Sequence, residues 1–326
     1  MNKERVLLIK HSDELPSMVC NDFFHSIQLF CLLELTPGMT PYMVVVQDAK
    51  GEVLAHMLLI VLTRRTLLPP FIFRHGHVYG EGEYAGTGEN REALFHTMLG
   101  CATRLFRSCR CLYCEYSKMS SKMFGYKAFR RHGFIPIPWI EIHNSVHSTP
   151  PIQRLSHKLQ QRVMTLAARG VHTRPCLDEQ DTQRYVRLLK RQFRFKTRRV
   201  LPDKVLFDKL QASHHGINLL TLYKNKVIGG CTLLFSQGNA YLWFSVARRK
   251  TYALARPALM TIWGALQYAQ QEGYAHLSFL DVGLPHEHSR YREFILSFGG
   301  KPTAKYRWFR FPFTGVNRLL TWIYNS

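Results

Sequence analysis

Apolar and polar positions fall in blocks along this chain, and the order of the blocks repeats. From Pro41 the sequence reads PYMVVVQDAKGEVLAHMLLIVL, two apolar β-rich runs around a polar segment holding Asp48 and Gly51. That is the pattern of a β-hairpin. Asn218 to Phe235, NLLTLYKNKVIGGCTLLF, has the same layout, with a polar turn around Lys224 to Lys226.

A helical stretch follows the first hairpin from Glu89, with Leu94, Met98, Ala102 and Leu105 on one face. CLYCEYS (111 to 117) then reads as a buried strand, SKMFGYKAFRRHG as a second helix and FIPIPWIEIH (134 to 143) as a closing strand. After the second hairpin come a strand AYLWFSV and the helix RPALMTIWGALQYAQQEG, opened by Pro257 and closed by Gly273. HLSFLDVG (276 to 283) reads as a strand, SRYREFILSFGG as a helix and YRWFRFP (306 to 312) as a last strand. Hairpin, helix, strand, helix, strand therefore runs twice, which implies an internal duplication of about 130 residues.

Between the copies, PIQRLSHKLQQRVMTLAARGVHTRPC is helical from Gln153 to Ala168, stops at Gly170 and continues as a short strand. The expected organisation is a first domain at 1–150, a basic helical connector at 151–176 and a second domain at 177–326, each domain an α+β fold with a mixed α/β sheet.

Charge sharpens this picture. The chain carries 44 Lys plus Arg against 22 Asp plus Glu, a formal net charge of +22. Residues 151 to 200 alone hold 13 Lys or Arg against 3 acids, so the positive field is concentrated at the joint. Such a field calls for an anionic partner, nucleic acid, nucleotide or lipid surface alike. With 46% hydrophobic residues over 326 positions, disorder and small disulfide scaffolds are excluded. Eight Cys in so long a chain, with a start lacking the apolar stretch of a signal peptide, lead to the expectation of a cytoplasmic protein. The apolar runs Met57 to Leu62 and Met43 to Val46 fall far short of the ~20 residues that cross a bilayer.

The order of elements resembles the GNAT acyltransferase fold, and two such units in tandem resemble the FemABX aminoacyltransferases. NDFFHSIQLFCLLE, LSHKLQQRVMTLAARGVH, YVRLLKRQFRFKTRRVLPDKVLFDKL, VIGGCTLLF, RPALMTIWGALQYAQQEGYAHLSFLDVG and REFILSFGGKP look like successive signature stretches of that family, spanning nearly the whole chain. The resemblance implies two tandem GNAT-like (acyl-CoA N-acyltransferase) domains forming an amide on an amine acceptor. Its donor would be aminoacyl-tRNA and its acceptor a cell-wall precursor. An N-acyltransferase fed by acyl-CoA or acyl carrier protein, making an amino-acid lipid or acylated amino sugar, is the second reading. A non-catalytic module binding RNA or a membrane is the third. No tightly bound cofactor is expected, only the donor as cosubstrate. Partners implied are tRNA or acyl carrier protein and an anionic lipid-linked acceptor, not DNA. The coiled-coil arm of several family members is reduced here to the helix near 153 to 168. ARRKTYALARPAL lies where a pyrophosphate loop would be but lacks its Gly-x-Gly/Ala pattern, which counts against acetyl-CoA.

Acyl transfer to an amine needs a base, donors facing the carbonyl oxygen and a frame holding both reactants. Asp281, a lone carboxylate at the C-terminal end of an apolar strand, is the candidate base or amine-orienting group, with a turn Asp before Gly283 as the plain alternative. Glu115 occupies the corresponding strand of the first copy, where pairing would serve as well as chemistry. His286, in the loop with Glu287 and His288, could supply an acid or base. Arg248, Arg249, Lys250, Tyr252 and Arg256 precede the long second-copy helix and suit donor phosphates. Lys196, Arg198 and Arg199, interleaved with Phe193 and Phe195, suit a channel for a phosphorylated acceptor. Tyr79 and Tyr84 lie in the Gly-rich stretch GHVYGEGEYAG, which the resemblance places along the acceptor groove. Cys109, Cys111 and Cys114 alternate on a buried strand without a second pair at zinc spacing, so no metal is expected. The apolar C-terminus VNRLLTWIYNS, after Phe309, Phe311 and Phe313, would either pack as a final helix or rest on a membrane surface.

Overall fold

The computed structural model describes residues 4–65, 71–86, 90–194, 200–313, 315–317, 319 and 322. Two compact units emerge, one of Met1–Trp139 with Ala304–Ser326 and one of Ile140–Thr303. In chain order the elements are β1 (Arg5–Ile9), α1 (Ile27–Glu34), β2 (Met39–Gln47), β3 (Val53–Arg65), β4 (Ile72–Tyr79), β5 (Glu83–Tyr84), α2 (Arg91–Ser108), β6 (Tyr113–Ser117), α3 (Tyr126–Arg131) and β7 (Ile135–Ser145). Then follow α4 (Pro151–Arg154), α5 (His157–Ala168), β8 (His172–Pro175), α6 (Glu179–Phe193), α7 (Lys204–Gln211), β9 (Gly216–Tyr223), β10 (Lys226–Ser236), β11 (Asn239–Ala247), α8 (Pro257–Gln271), β12 (His276–Phe279), α9 (Arg290–Leu296) and β13 (Lys301–Arg310).

Both hairpins form as the apolar blocks require. In the first, β2 against β3, the Asp48 carboxylate accepts from the N–H groups of Lys50 and Glu52, and Gly51 takes the left-handed φ of +86°. In the second, β9 against β10, Lys224 and Asn225 both have positive φ, the two-residue turn that matches strand twist.

The first unit orders its strands β1-β2-β3-β4-β6-β13, antiparallel except for β4 beside β6, with β5 on β3. The apolar face of α2, including Phe95, Met98, Ala102 and Phe106, packs on Val44, Val46, Met57 and Leu59. Trp308 of β13 is fully buried and stacks on Phe129 of α3 at 4.4 Å between ring centres.

The second unit orders its strands β7-β12-β11-β10-β9-β8, antiparallel except for β11 beside β12. One face is covered by α8, where Leu259, Ile262, Trp263 and Leu266 meet Leu219, Cys231 and Leu233. The other is covered by α6 and α7, where Tyr185, Leu189 and Phe207 meet Leu220, Leu222 and Phe244. Glycines permit the close approach of helix to sheet. A Cβ on Gly230 would stand 2.8 Å from the Tyr185 ring, and one on Gly229 would stand 2.5 Å from the Thr261 hydroxyl of α8.

Two features differ from the organisation expected of the sequence. The connector is part of the second unit, because Leu155, Val163, Leu166 and Val171 enter its core and β8 pairs with β9. The last strand of each repeat also passes from one unit into the other. Ile142 to Ser145 of β7 pair with β12, and Trp308 to Arg310 of β13 pair with β6. The second unit is thus one continuous segment, Ile140–Thr303, whereas the first is assembled from Met1–Trp139 and Ala304–Ser326.

Candidate functional site

The repeated β-strand pair that runs parallel is closed in one unit and open in the other. In the first unit β4 and β6 stay paired from His75 opposite Tyr113 to Tyr79 opposite Ser117, the last residue of each. In the second, β11 and β12 pair only over Ala240 to Leu242 and Leu277 to Phe279. β12 ends at Phe279, four residues before the strand the sequence suggests, while β11 continues to Ala247. The divergence leaves a wedge-shaped cavity of about 490 Å³.

Each wall of this cavity has a distinct origin. A register shift between Thr232 and Leu233 leaves Trp243 as an extra residue on β11, and this bulge aims its side chain into the wedge. Ser245 and Ala247 continue that wall, Leu280 and Asp281 extend from the end of β12, and Tyr291 and Phe294 of α9 close one side. The first two turns of α8 form the floor through Ala258, Thr261 and Ile262. Thr261 is locked in place: its hydroxyl donates to the Pro257 carbonyl and lies 2.7 Å from the Thr221 hydroxyl, which lies 3.0 Å from that of Thr173.

A second cavity of about 740 Å³ shares Arg249, Ala258, Tyr291 and Phe294 with the wedge and is ringed by Lys158, Arg162, Arg249, Arg256 and Arg290. Five cations thus surround the start of a 15-residue helix, whose N-terminal N–H groups and dipole favour an anion. Arg256 takes the left-handed conformation at φ +41°, ψ +58° just before Pro257. The turn that a glycine pattern would ordinarily make is made here by an arginine.

The sequence candidates distribute as follows. Asp281 is exposed and lines the wedge directly after β12. His286 is exposed and lines neither cavity. Arg249 lines both cavities and Arg256 the basic one. Arg248 lays its guanidinium 5.0 Å over the half-buried Tyr252 ring, and Lys250 is exposed in the turn outside both linings. Lys196, Arg198 and Arg199 lie outside the described residues. Glu115 belongs to the first unit, 3.0 Å from Arg307 Nη1 and 3.7 Å from His77 Nδ1. There too, Tyr79 packs its ring 5.0 Å from Phe24, and Tyr84 donates its hydroxyl to the Glu81 carbonyl beneath Arg91. Burial and the nearby Glu81 push the Tyr84 phenol far above its ordinary range, so it acts as a hydrogen-bond donor. Cys111 and Cys114 are buried thiols, the former pushed up to about 12 chiefly by burial.

Sequence reasoning missed Lys158, Arg162, Arg290, Trp243 and Tyr291. Lys158 and Arg162 stand four apart in the basic connector, a signal of a shared helix face. The bulge at Trp243 has no counterpart in the residue pattern.

One of the two units thus opens into a wedge above a cationic helix start. Residues 154–292 match the family described as acetyltransferase (GNAT) domain, so this part of the chain is a GNAT-type acyltransferase domain. A search of curated proteins by sequence finds no match. Among solved structures the chain is similar to FemX, with 11% identity and a TM-score of 0.62 over 92% of this chain and 94% of that one. It is similar to a tandem GNAT protein from the clavulanic acid biosynthesis pathway, with 10% identity and a TM-score of 0.56 over 95% and 98%. It is also similar to L-PGS from Bacillus licheniformis, with 9% identity and a TM-score of 0.54 over 86% and 88%. These likenesses establish the fold. Among the described residues no helix is long and apolar enough to cross a membrane.

Proposed function

We propose that the chain transfers an aminoacyl group from aminoacyl-tRNA to an amine, forming an amide, and that the second unit holds the donor. The observation that carries this reading is the ring of Lys158, Arg162, Arg249, Arg256 and Arg290 beside the wedge. Phosphodiesters would lie on the basic ring and the ester would enter the wedge. A net charge of +22 exceeds what one small nucleotide could neutralise and suits a polyanion.

In this reading the acceptor nitrogen attacks the ester carbonyl carbon, the bond to the ribose oxygen breaks, and Asp281 takes the amine proton and passes it to the departing oxygen. A lipid-linked cell-wall precursor is the acceptor that agrees with the exposed apolar residues Phe313, Val316, Leu319 and Trp322 near the C-terminus, which would touch the membrane surface where such acceptors lie.

A second reading takes acyl-CoA as donor, and the cavity between the splayed strands β11 and β12 favours it, since a pantetheine arm could enter there. The discriminating experiment offers labelled aminoacyl-tRNA and labelled acyl-CoA in parallel with amine acceptors and follows amide formation by mass spectrometry. Transfer from aminoacyl-tRNA that collapses between 50 and 200 mM salt, by about 10³-fold or more in affinity, is expected. Transfer from acyl-CoA alone would establish the second reading, and transfer from neither would overturn both.

A further inference from the structure

The first unit brings three metal-ligating side chains to one point. Cys20 Sγ lies 3.8 Å from His56 Nε2, and the same nitrogen lies 3.2 Å from Glu83 Oε2. All three ligand atoms fall within 4.8 Å of one another. The geometry points to a Zn²⁺ site formed by Cys20, His56 and Glu83, with a fourth position left to water or a ligand.

Three observations carry the inference. First, two of the separations, 3.2 Å and 3.8 Å, are close to edges of a zinc tetrahedron: bonds of roughly 2.0–2.1 Å to nitrogen and oxygen and about 2.3 Å to sulfur put N···O near ~3.3 Å and S···N near ~3.6 Å. Second, a single imidazole N–H cannot point at both a carboxylate and a thiol, whereas a cation between them satisfies all three atoms. Third, the ligands are held in advance. His56 stands on β3 directly opposite Glu83 of β5, with its side chain 4% exposed. Glu83 Oε1 accepts from the N–H groups of Asn21 (2.8 Å) and Asp22 (2.7 Å), which fixes the carboxylate so that Oε2 faces the histidine. Such outer hydrogen bonds orient ligands in metal sites.

The donor set of thiolate, imidazole and carboxylate suits zinc over magnesium or calcium, which prefer oxygen. Bound there, the ion would clamp the Met18 to Asp22 segment onto β3 and β5. This departs from the expectation of no metal, which rested on Cys109, Cys111 and Cys114. It is independent of the donor chemistry assigned to the second unit.

The test is direct titration of the full, metal-stripped chain with Co²⁺ as the spectroscopic probe, followed by competition with Zn²⁺. A one-to-one complex with a thiolate-to-cobalt charge-transfer band and intense tetrahedral d–d bands, displaced by Zn²⁺, is expected. Cys20→Ser should abolish the charge-transfer band and weaken binding at least tenfold, while Cys109→Ser leaves both unchanged. Far-ultraviolet circular dichroism checks that each variant folds, and Glu83→Gln gives a second ligand loss should Cys20→Ser perturb the loop. No cobalt complex, or a thiolate band that survives in folded Cys20→Ser, would overturn the assignment.

Discussion

Arg307 reaches across 192 residues of chain to place Nη1 3.0 Å from Glu115 Oε1, with both side chains nearly closed to solvent. The guanidinium also lies 4.2 Å over the Trp139 ring. This pair fastens β13, the strand that returns from the end of the chain, against β6 of the first unit. Removing the arginine leaves a nearly buried carboxylate facing His77. Arg307→Met is expected to cost the first unit about 2–4 kcal/mol, read as a lower urea midpoint with the slope unchanged.

Asp281 adjoins the wedge just past the end of β12. If it takes the amine proton, Asp281→Asn should lower kcat by about 10²–10⁴-fold with little change in KM. A neutral Asn at this exposed position leaves the fold intact, so steady-state kinetics report the chemistry directly. An unchanged kcat would make Asp281 a turn residue only.

Arg249 lines both cavities, whereas Lys250 beside it lines neither. Arg249→Ala should weaken tRNA binding and reduce the slope of log affinity against log salt by about 0.7–0.9, the loss of one phosphate contact. Lys250→Ala should move the slope less. Filter binding across a salt series distinguishes the two.

His75 is buried against Tyr113, its ring stacked at 4.9 Å. Burial, reinforced by neighbouring His77, pushes it down to about 4 from an ordinary value of about 6.5. The folded chain therefore resists the proton that the unfolded chain accepts. Its contribution is whole above pH ~6.5 and is lost as pH falls toward ~4, by up to about 3 kcal/mol. His75→Phe should flatten the acid limb of the stability curve, measured by urea melts at a series of pH values.

Local pattern carried much of the fold. The hairpins β2–β3 and β9–β10 and the helices α2 and α8 were legible because each buries one face against a sheet, and burial writes a period of two or 3.6 into the residues. The duplication was legible for the same reason, since repeated elements repeat their pattern. The basic joint was visible as charge, though its helix breaks at Leu155 and Ser156 into α4 and α5.

The sequence by itself determined which segments become strands and helices, that two similar units exist, and that positive charge is concentrated between 151 and 200. Only the tertiary structure decided that β7 and β13 each pass from one unit into the other, that β12 stops at Phe279 to open a wedge beside Trp243, and that Lys158 and Arg162 meet Arg249 and Arg256 around one helix start. It alone brought Cys20, His56 and Glu83 together. Periodicity records which face of an element is buried, whereas the choice of partner is made by non-local pairing and packing, and residues far apart in the chain carry no local mark of that choice.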